Sequence, residues 1–217
     1  MTKASYHIIS ARLRLMQTGK PDWWDDAREF LSNDSLLGPI VEKYDGCLEG
    51  KGNLFSTFVR SIVGQQISVI AADAVWSRLV DYVGEITPEN FTGLTIEQLA
   101  SCGLSRSKSD YIIGVARKSS DFLGPDFTSL SDDEINKHFV SFRGIGPWTS
   151  EMMMIFALLR PDIFSIGDIG LIKAVKILEP NAESKEDVLA VSERWAPFRT
   201  AASWYLWRML DPVPVAY

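Results

Sequence analysis

The sequence predicts an all-α protein of about ten helices. Three observations carry that prediction. Apolar residues recur at spacings of three and four along most of the 217 residues, while the alternation that marks strands is scarce. Several of these runs open on Ser, Thr or Asp with acids or amides close behind, as helix N-termini do. No low-complexity linker and no fixed-period repeat interrupts the pattern.

Taken in order, Pro21-Asp22 precedes a first helix through Trp23, Trp24, Ala27, Phe30 and Leu31. A long helical region spans 54–82, with Phe55, Phe58, Val59, Ile62, Val63, Ile67, Ile70, Ala74, Val75 and Leu79 on one broad stripe. Gly64 with Gln65-Gln66 is expected to break it into two helices. Thr87-Pro88 and Thr95 each start a helix, and Gln98 completes a capping box with Thr95. A helix over 107–117 follows, and then one opened by Ser131-Asp132-Asp133-Glu134, a cap with an acidic first turn. After a glycine-bearing turn at 143–147 come helices at 148–159, 168–178, 185–195 and 200–210.

Composition narrows the function. Hydrophobic residues make up 46% and charged residues 23%, as in a soluble globular enzyme. The longest apolar run, at 152–159, is too short for a membrane span. Segment 1–20 mixes Lys3, Arg12, Arg14 and Lys20 with polar residues, so no targeting peptide and an intracellular chain are expected. Cys47 and Cys102 cannot build a four-thiolate cluster or a zinc finger. His7 and His138 lack metal-ligand spacing and read as satisfied side chains, so no metal site is expected. The net charge of −6 weighs against phosphate binding by Lys and Arg. The acids, however, gather at Asp25, Asp26, Glu29 and at Glu179, Glu183, Glu186, Asp187, and helix-start amides bind phosphate without adding charge.

The most informative stretch is Phe142-Arg143-Gly144-Ile145-Gly146-Pro147-Trp148-Thr149. Here one helix ends, Gly-x-Gly turns, and another helix begins at once. Glycine at both positions permits positive φ and close backbone approach. Pro147 suits a first helical turn, whose N–H lacks a partner anyway. The outward amides and the positive helix end suit a DNA phosphate, although an ordinary tight turn uses the same residues. Twenty residues past Trp148, Asp168 stands at the start of a new helix between Ile166 and Ile169. The helix dipole would keep its carboxylate ionised beside apolar surroundings; Asp is also a common plain N-cap.

These blocks resemble the helix-hairpin-helix DNA glycosylases, the HhH-GPD superfamily. The turn 143–149 is similar to the family's Leu-Pro-Gly-x-Gly-x-x-Thr hairpin, with Phe142-Arg143 replacing Leu-Pro. Gly167-Asp168-Ile169-Gly170-Leu171 resembles its catalytic-aspartate segment. Ile62-Val63-Gly64-Gln65-Gln66-Ile67-Ser68 and Trp195-Ala196-Pro197-Phe198-Arg199 through Trp207 resemble blocks of the 3-methyladenine glycosylase II branch, in its compact all-helical form. The resemblance covers 52–210. It implies one glycosylase domain over 1–217, with a lobe of about 53–160 holding the middle helices and hairpin. The N- and C-terminal helices would form the second lobe, with a cleft between the two.

The resemblance also implies an activity: hydrolysis of the N-glycosidic bond of alkylated bases in base excision repair. Asp168 would be the catalytic carboxylate, and Gly144, Ile145, Gly146, Pro147, Trp148 and Thr149 the DNA-gripping hairpin. Gln66 would enter the space left by a flipped base, and Leu104 would press the opposite strand. Trp148, Met152 and Trp207 would line the base pocket. Members that also nick the backbone carry lysine where Trp148 stands, so a monofunctional enzyme is implied. No cofactor is required, and family hairpins often hold a monovalent cation on backbone carbonyls. The partner would be damaged double-stranded DNA and the state a monomer. The location would be the cytoplasm, at the nucleoid, in a bacterium and the nucleus in a eukaryote. Two alternatives remain open: a glycosylase for uracil, mismatched or oxidised bases, and a non-catalytic helix-hairpin-helix binding module.

Overall fold

A computed structural model describes residues 18–211. His7 and nearly all of segment 1–20 lie outside the described residues. Within them the chain is helical, with thirteen α-helices, one 3-10 turn and two strands of two residues each. The helices are α1 (Trp24–Ser32), α2 (Gly38–Lys43), α3 (Leu54–Gly64), α4 (Val69–Val83), α5 (Pro88–Thr92), α6 (Ile96–Ser101) and α7 (Arg106–Arg117). They continue as α8 (Ser119–Phe122), α9 (Asp132–Val140), α10 (Pro147–Phe156), α11 (Ile169–Leu178), α12 (Lys185–Ser192) and α13 (Arg199–Leu210). The strands β1 (Thr18–Gly19) and β2 (Gly50–Lys51) pair antiparallel, Thr18 opposite Lys51. Two compact units result. The first is Gly52–Met153, and the second joins 18–51 to 154–211.

The caps explain why the helices start where they do. Thr95 with Gln98, and Ser131 with Glu134, form the expected capping boxes; Ser184 with Asp187 forms a third. Each satisfies two otherwise orphaned amides, and losing such a cap costs about 1 kcal/mol. Helix α10 stops at Phe156 rather than running to Leu159. Leu159 takes φ +52, and the Arg160 N–H turns back to the Met154 carbonyl at 2.9 Å. A leucine in that conformation costs roughly 1–2 kcal/mol, offset here by burial of its side chain. The segment expected as one helix over 185–195 is α12 followed by the 3-10 turn Glu193–Trp195.

In the first unit the core is aromatic. Phe122 sits at its centre, with ring centroids 5.4 Å from Phe58, 5.5 Å from Phe139 and 5.3 Å from Phe142. Phe55 meets Phe91 edge-on at 5.6 Å. Each such pair adds about 0.5–1.5 kcal/mol to simple burial. His138 belongs to this core: its Nε2 lies 3.1 Å from the Phe122 carbonyl and must donate to it.

The single stripe expected over 54–82 does not survive the break at Gly64–Gln66. Helix α3 buries Phe55, Phe58, Val59, Ile62 and Val63, whereas α4 buries Ala72, Val75 and Leu79. Ile67 is 41% exposed and Ile70 84%, and Ala74 is exposed as well. Gln66 adopts φ +58, and one left-handed residue is enough to rotate the following face away from the preceding one.

The second unit packs around Trp24, whose ring meets Trp204 edge-on at 5.3 Å and lies near-parallel to Tyr205 at 5.9 Å. Asp34, with its side chain 10% exposed, ties α1–α2 to the 3-10 turn. It accepts from the Leu36 and Leu37 amides at 2.9 Å, from Arg194 Nε at 2.6 Å and from Trp195 Nε1 at 3.3 Å. Burial acts to raise its pKa, but the Leu37 and Leu36 amides, Arg194 and Trp195 together hold the carboxyl below its ordinary value.

Candidate active site

The glycine turn is built as its sequence requires, with one correction. Gly144 takes φ +92, and a Cβ placed there would lie 2.2 Å from Tyr111 Cγ, inside the ring's van der Waals surface. Only glycine fits. Gly146, by contrast, has no left-handed φ, and the space where its Cβ would stand is open for 4 Å. The first glycine makes the turn possible, and the second leaves room for something to approach. Ile145 is buried and its N–H bonds the Phe142 carbonyl at 3.1 Å, while Pro147 is the first residue of α10. Arg143 is 80% exposed; its guanidinium pairs with Asp110 at 3.0 Å and lies over Tyr111, 5.6 Å from the ring centre.

The turn is fastened to the α3–α4 loop. Gln65 Nε2 donates to Thr149 Oγ1 at 2.9 Å and approaches the Gly144 carbonyl at 3.4 Å. Lys108 Nζ, half-buried, donates to the carbonyls of Val63 at 2.9 Å and Gln65 at 2.7 Å. Burial pushes this ammonium below the ordinary lysine pKa. Thr149 itself is 1% exposed, so it holds the turn rather than contacting a ligand. Gln66, next in the chain, is exposed and flanked by exposed Ile67, Val69 and Ile70. Leu104 is 5% exposed and Met152 fully buried. A strand wedge and a pocket wall both need accessible surface, so these two side chains are interior packing; the apolar surface lies at Ile67, Val69 and Ile70 instead. Trp148 is half-buried on the first turn of α10.

In the second unit, Asp168 is the N-cap of α11. Its Oδ1 accepts the Leu171 amide at 3.0 Å and the Trp207 indole N–H at 3.2 Å. Trp207 is in turn stacked on Phe156, with centroids 5.7 Å apart and planes at 22°. A Cβ on Gly170 would come within 3.0 Å of Asp168 Oδ1 and 3.6 Å of Trp207 Cδ1, so glycine lets the indole reach the carboxylate. Ile169, beside it, is 82% exposed. The C-terminal block that contains Trp195 and Arg199 acts at one remove. Arg199 grips Asp162 through two parallel bonds, at 2.7 and 2.9 Å, and Thr200 accepts the Ile163 amide at 3.0 Å. Those contacts fix the segment leading into Asp168.

Sequence reasoning missed Tyr111, Gln65, Lys108 and Gly170 as parts of the site. Gln65 and Gly170 lie inside blocks already singled out. Tyr111 and Lys108 stand apart on α7, and nothing local marks them.

Among the described residues no group of three or more His, Cys, Asp or Glu is placed to hold a metal ion, and no helix is long and apolar enough to cross a membrane.

A family model described as HhH-GPD superfamily base excision DNA repair protein matches residues 59–198. A protein of the yeast Schizosaccharomyces pombe named DNA-3-methyladenine glycosylase 1 is 33% identical over 162 residues, spanning 71% of each chain. A Bacillus subtilis DNA-3-methyladenine glycosylase is 30% identical over 199 residues, 84% of this chain and 66% of that one. Among solved structures, an S. pombe 3-methyladenine DNA glycosylase in complex with abasic DNA superposes with a TM-score of 0.77 at 28% identity, over 88% of this chain and all of that one.

Proposed function

The chain belongs to the HhH-GPD superfamily of base excision DNA repair proteins, and from that premise we propose that it is a monofunctional glycosylase that removes alkylated bases of the 3-methyladenine type from double-stranded DNA. The observation that carries this reading is the setting of Asp168. A carboxylate at a helix start, with one oxygen held by an amide and an indole, is fixed in direction as well as in place.

The reaction needs such a fixed charge. A base inside a duplex is out of reach, so the nucleotide is turned out at a cost of about a few kcal/mol of stacking. The exposed Gln66, with the apolar lip Ile67, Val69 and Ile70, enters the vacated stack. The hairpin amides at Gly144, Gly146 and Trp148 hold the backbone beside it, with the dipole of α10 behind them. An alkylated base carries positive charge and leaves readily, so little acid catalysis is required. Departure leaves an oxocarbenium-like sugar, which Asp168 stabilises while orienting or deprotonating the attacking water. The face of Trp207, whose N–H holds Asp168, offers a cationic base an attraction of up to about 2 kcal/mol when desolvated.

Trp148 has no amine, so no Schiff base forms with the sugar and the strand stays intact. No cofactor enters these steps. The turn 144–149 contains no carboxylate, a neutral donor set that suits a weakly held monovalent cation on backbone carbonyls better than a divalent one. Such an ion would place positive charge behind the phosphate. The enzyme acts as a monomer on damaged duplex DNA, in whichever compartment holds that DNA.

The test is base release from methylated duplex by Asp168→Asn. Excision should fall by at least about a hundredfold, while binding to a duplex containing an abasic-site analogue persists. Full excision by the variant overturns the catalytic assignment. Release of no base from any alkylated duplex by the wild-type chain overturns the activity, and strand nicking without added base overturns monofunctionality.

A further inference from the structure

We propose that Lys108 and Gln65 are positioning residues that lock the Gln66 turn to the glycine hairpin, so that the part which grips DNA and the part which enters the stack move as one rigid piece. The proposal rests on the DNA reading above. The observations behind it all lie within the unit Gly52–Met153.

The loop between α3 and α4 has little to hold it in place. It contains a left-handed glutamine, and its side chains Gln66, Ile67 and Ser68, like Val69 and Ile70 at the start of α4, are exposed. A non-glycine residue at φ +58 is stable only when its surroundings fix it. Two contacts do so here. The Lys108 ammonium spans the carbonyls of Val63 and Gln65, at 2.9 and 2.7 Å, and so closes the C-terminal end of α3 immediately before Gln66. A cation at a helix C-terminus also meets the negative end of the helix dipole. Side-chain carboxamide bonds from Gln65 to Thr149 at 2.9 Å, and more loosely to the Gly144 carbonyl, then fasten the same loop to the hairpin. Gln65 and Thr149 are 84 residues apart in sequence, so their bond joins the two loops directly, beside the packing of Gly144 on Tyr111 that seats the hairpin on α7.

The lysine is an unusual choice for a chain read as binding DNA. An ammonium spent on two carbonyls, half-buried and drawn below its ordinary pKa, is withdrawn from the phosphates. Its value to the protein therefore lies in rigidity. Turning a base out of the stack is an uphill step, and a wedge that yields would lose the stack before the flipped state is captured.

The substitutions are Lys108→Met, one atom shorter than lysine, and Gln65→Met, equal in length to glutamine; both remove the donors and keep an unbranched side chain. Melting temperatures are recorded for both. Single-turnover excision is compared on two duplexes: one with the alkylated base paired, and one with it opposite an abasic analogue, where it is already loosely stacked. Unstacking is read separately, from the fluorescence rise of 2-aminopurine placed in the target position, which needs no bond cleavage.

On the paired duplex the excision rate should fall about tenfold or more for Lys108→Met, which loses charge-assisted hydrogen bonds, and about three- to tenfold for Gln65→Met, which loses a neutral one. On the pre-unstacked duplex it should change by less than about threefold, with KM little altered. The fluorescence rise should diminish in step with the paired-duplex rate. Equal loss on both duplexes, or no loss on either, overturns the proposal, whatever the melting temperature. A wild-type chain that unstacks 2-aminopurine but releases no base refutes the glycosylase reading and leaves the fluorescence arm to decide this one. A wild-type chain that neither binds nor unstacks duplex DNA overturns both.

Discussion

At the scale of single residues, the site turns on how one carboxylate oxygen is held. Asp168 Oδ1 shares an amide and an indole N–H, and the indole is itself fixed by its stack on Phe156. Trp207→Phe keeps an aromatic ring against Phe156 and removes only the donor. The excision rate should drop by roughly ten- to a hundredfold, the worth of a hydrogen bond to a charged group. Single-turnover rates on a methylated duplex check this, and an unchanged rate would show that the indole N–H does not orient the carboxylate. Gly144 makes the opposite kind of demand, on backbone rather than charge. Gly144→Ala must bear φ +92 and a Cβ within 2.2 Å of Tyr111, so a loss of about 2 kcal/mol or more is expected in chemical denaturation. The glycine was legible because a turn between two helices that begin and end so closely calls for a residue free to take positive φ. Tyr111 was not, since a ring 33 residues upstream leaves no local trace of what it packs against.

At the scale of elements, starts were easier to read than ends. A helix start is a local bargain between a side chain and an amide three residues on, so Thr95, Ser131 and Asp168 could be placed from spacing alone. The end of α10 depends on where Leu159 is buried, and α2 and α8, of six and four residues, exist because tertiary packing holds them. The Asp34 cluster is another tertiary arrangement, joining residues about 160 positions apart. Its carboxyl is held below the ordinary value, so it contributes stability that is fully present above that value and is lost as pH falls through the lower, folded-state value. Asp34→Asn should therefore cost about 1–3 kcal/mol near neutral pH, with the gap from wild type narrowing on acidification. Thermal unfolding from neutral to strongly acidic pH measures it, and a gap that stays constant would assign the loss to packing instead of charge.

At the scale of the whole molecule, a chain with 22 Lys and Arg against 28 Asp and Glu brings few outward cations to the glycine turn. The net charge is −6, the turn 144–149 contains no Lys or Arg, Arg143 is paired with Asp110, and Lys108 is turned inward on carbonyls. Composition alone weighed against DNA, because it counts charges and cannot see amides aimed from a helix start. The motif blocks pointed the other way, and the family match sides with them. Phosphate binding by backbone amides has a measurable signature. Each phosphate neutralised by a cationic side chain contributes about 0.9 to the slope of log K against log salt, whereas an uncharged donor contributes little. The affinity for an abasic-analogue duplex should thus weaken only gently with salt, with a slope below about 3 in magnitude. Arg143→Ala, which removes the exposed cation nearest the turn, should reduce that slope by about one and leave most of the affinity in place. A steep wild-type slope would mean that side chains elsewhere carry the phosphates, and the hairpin amides would then be an incidental part of the DNA grip.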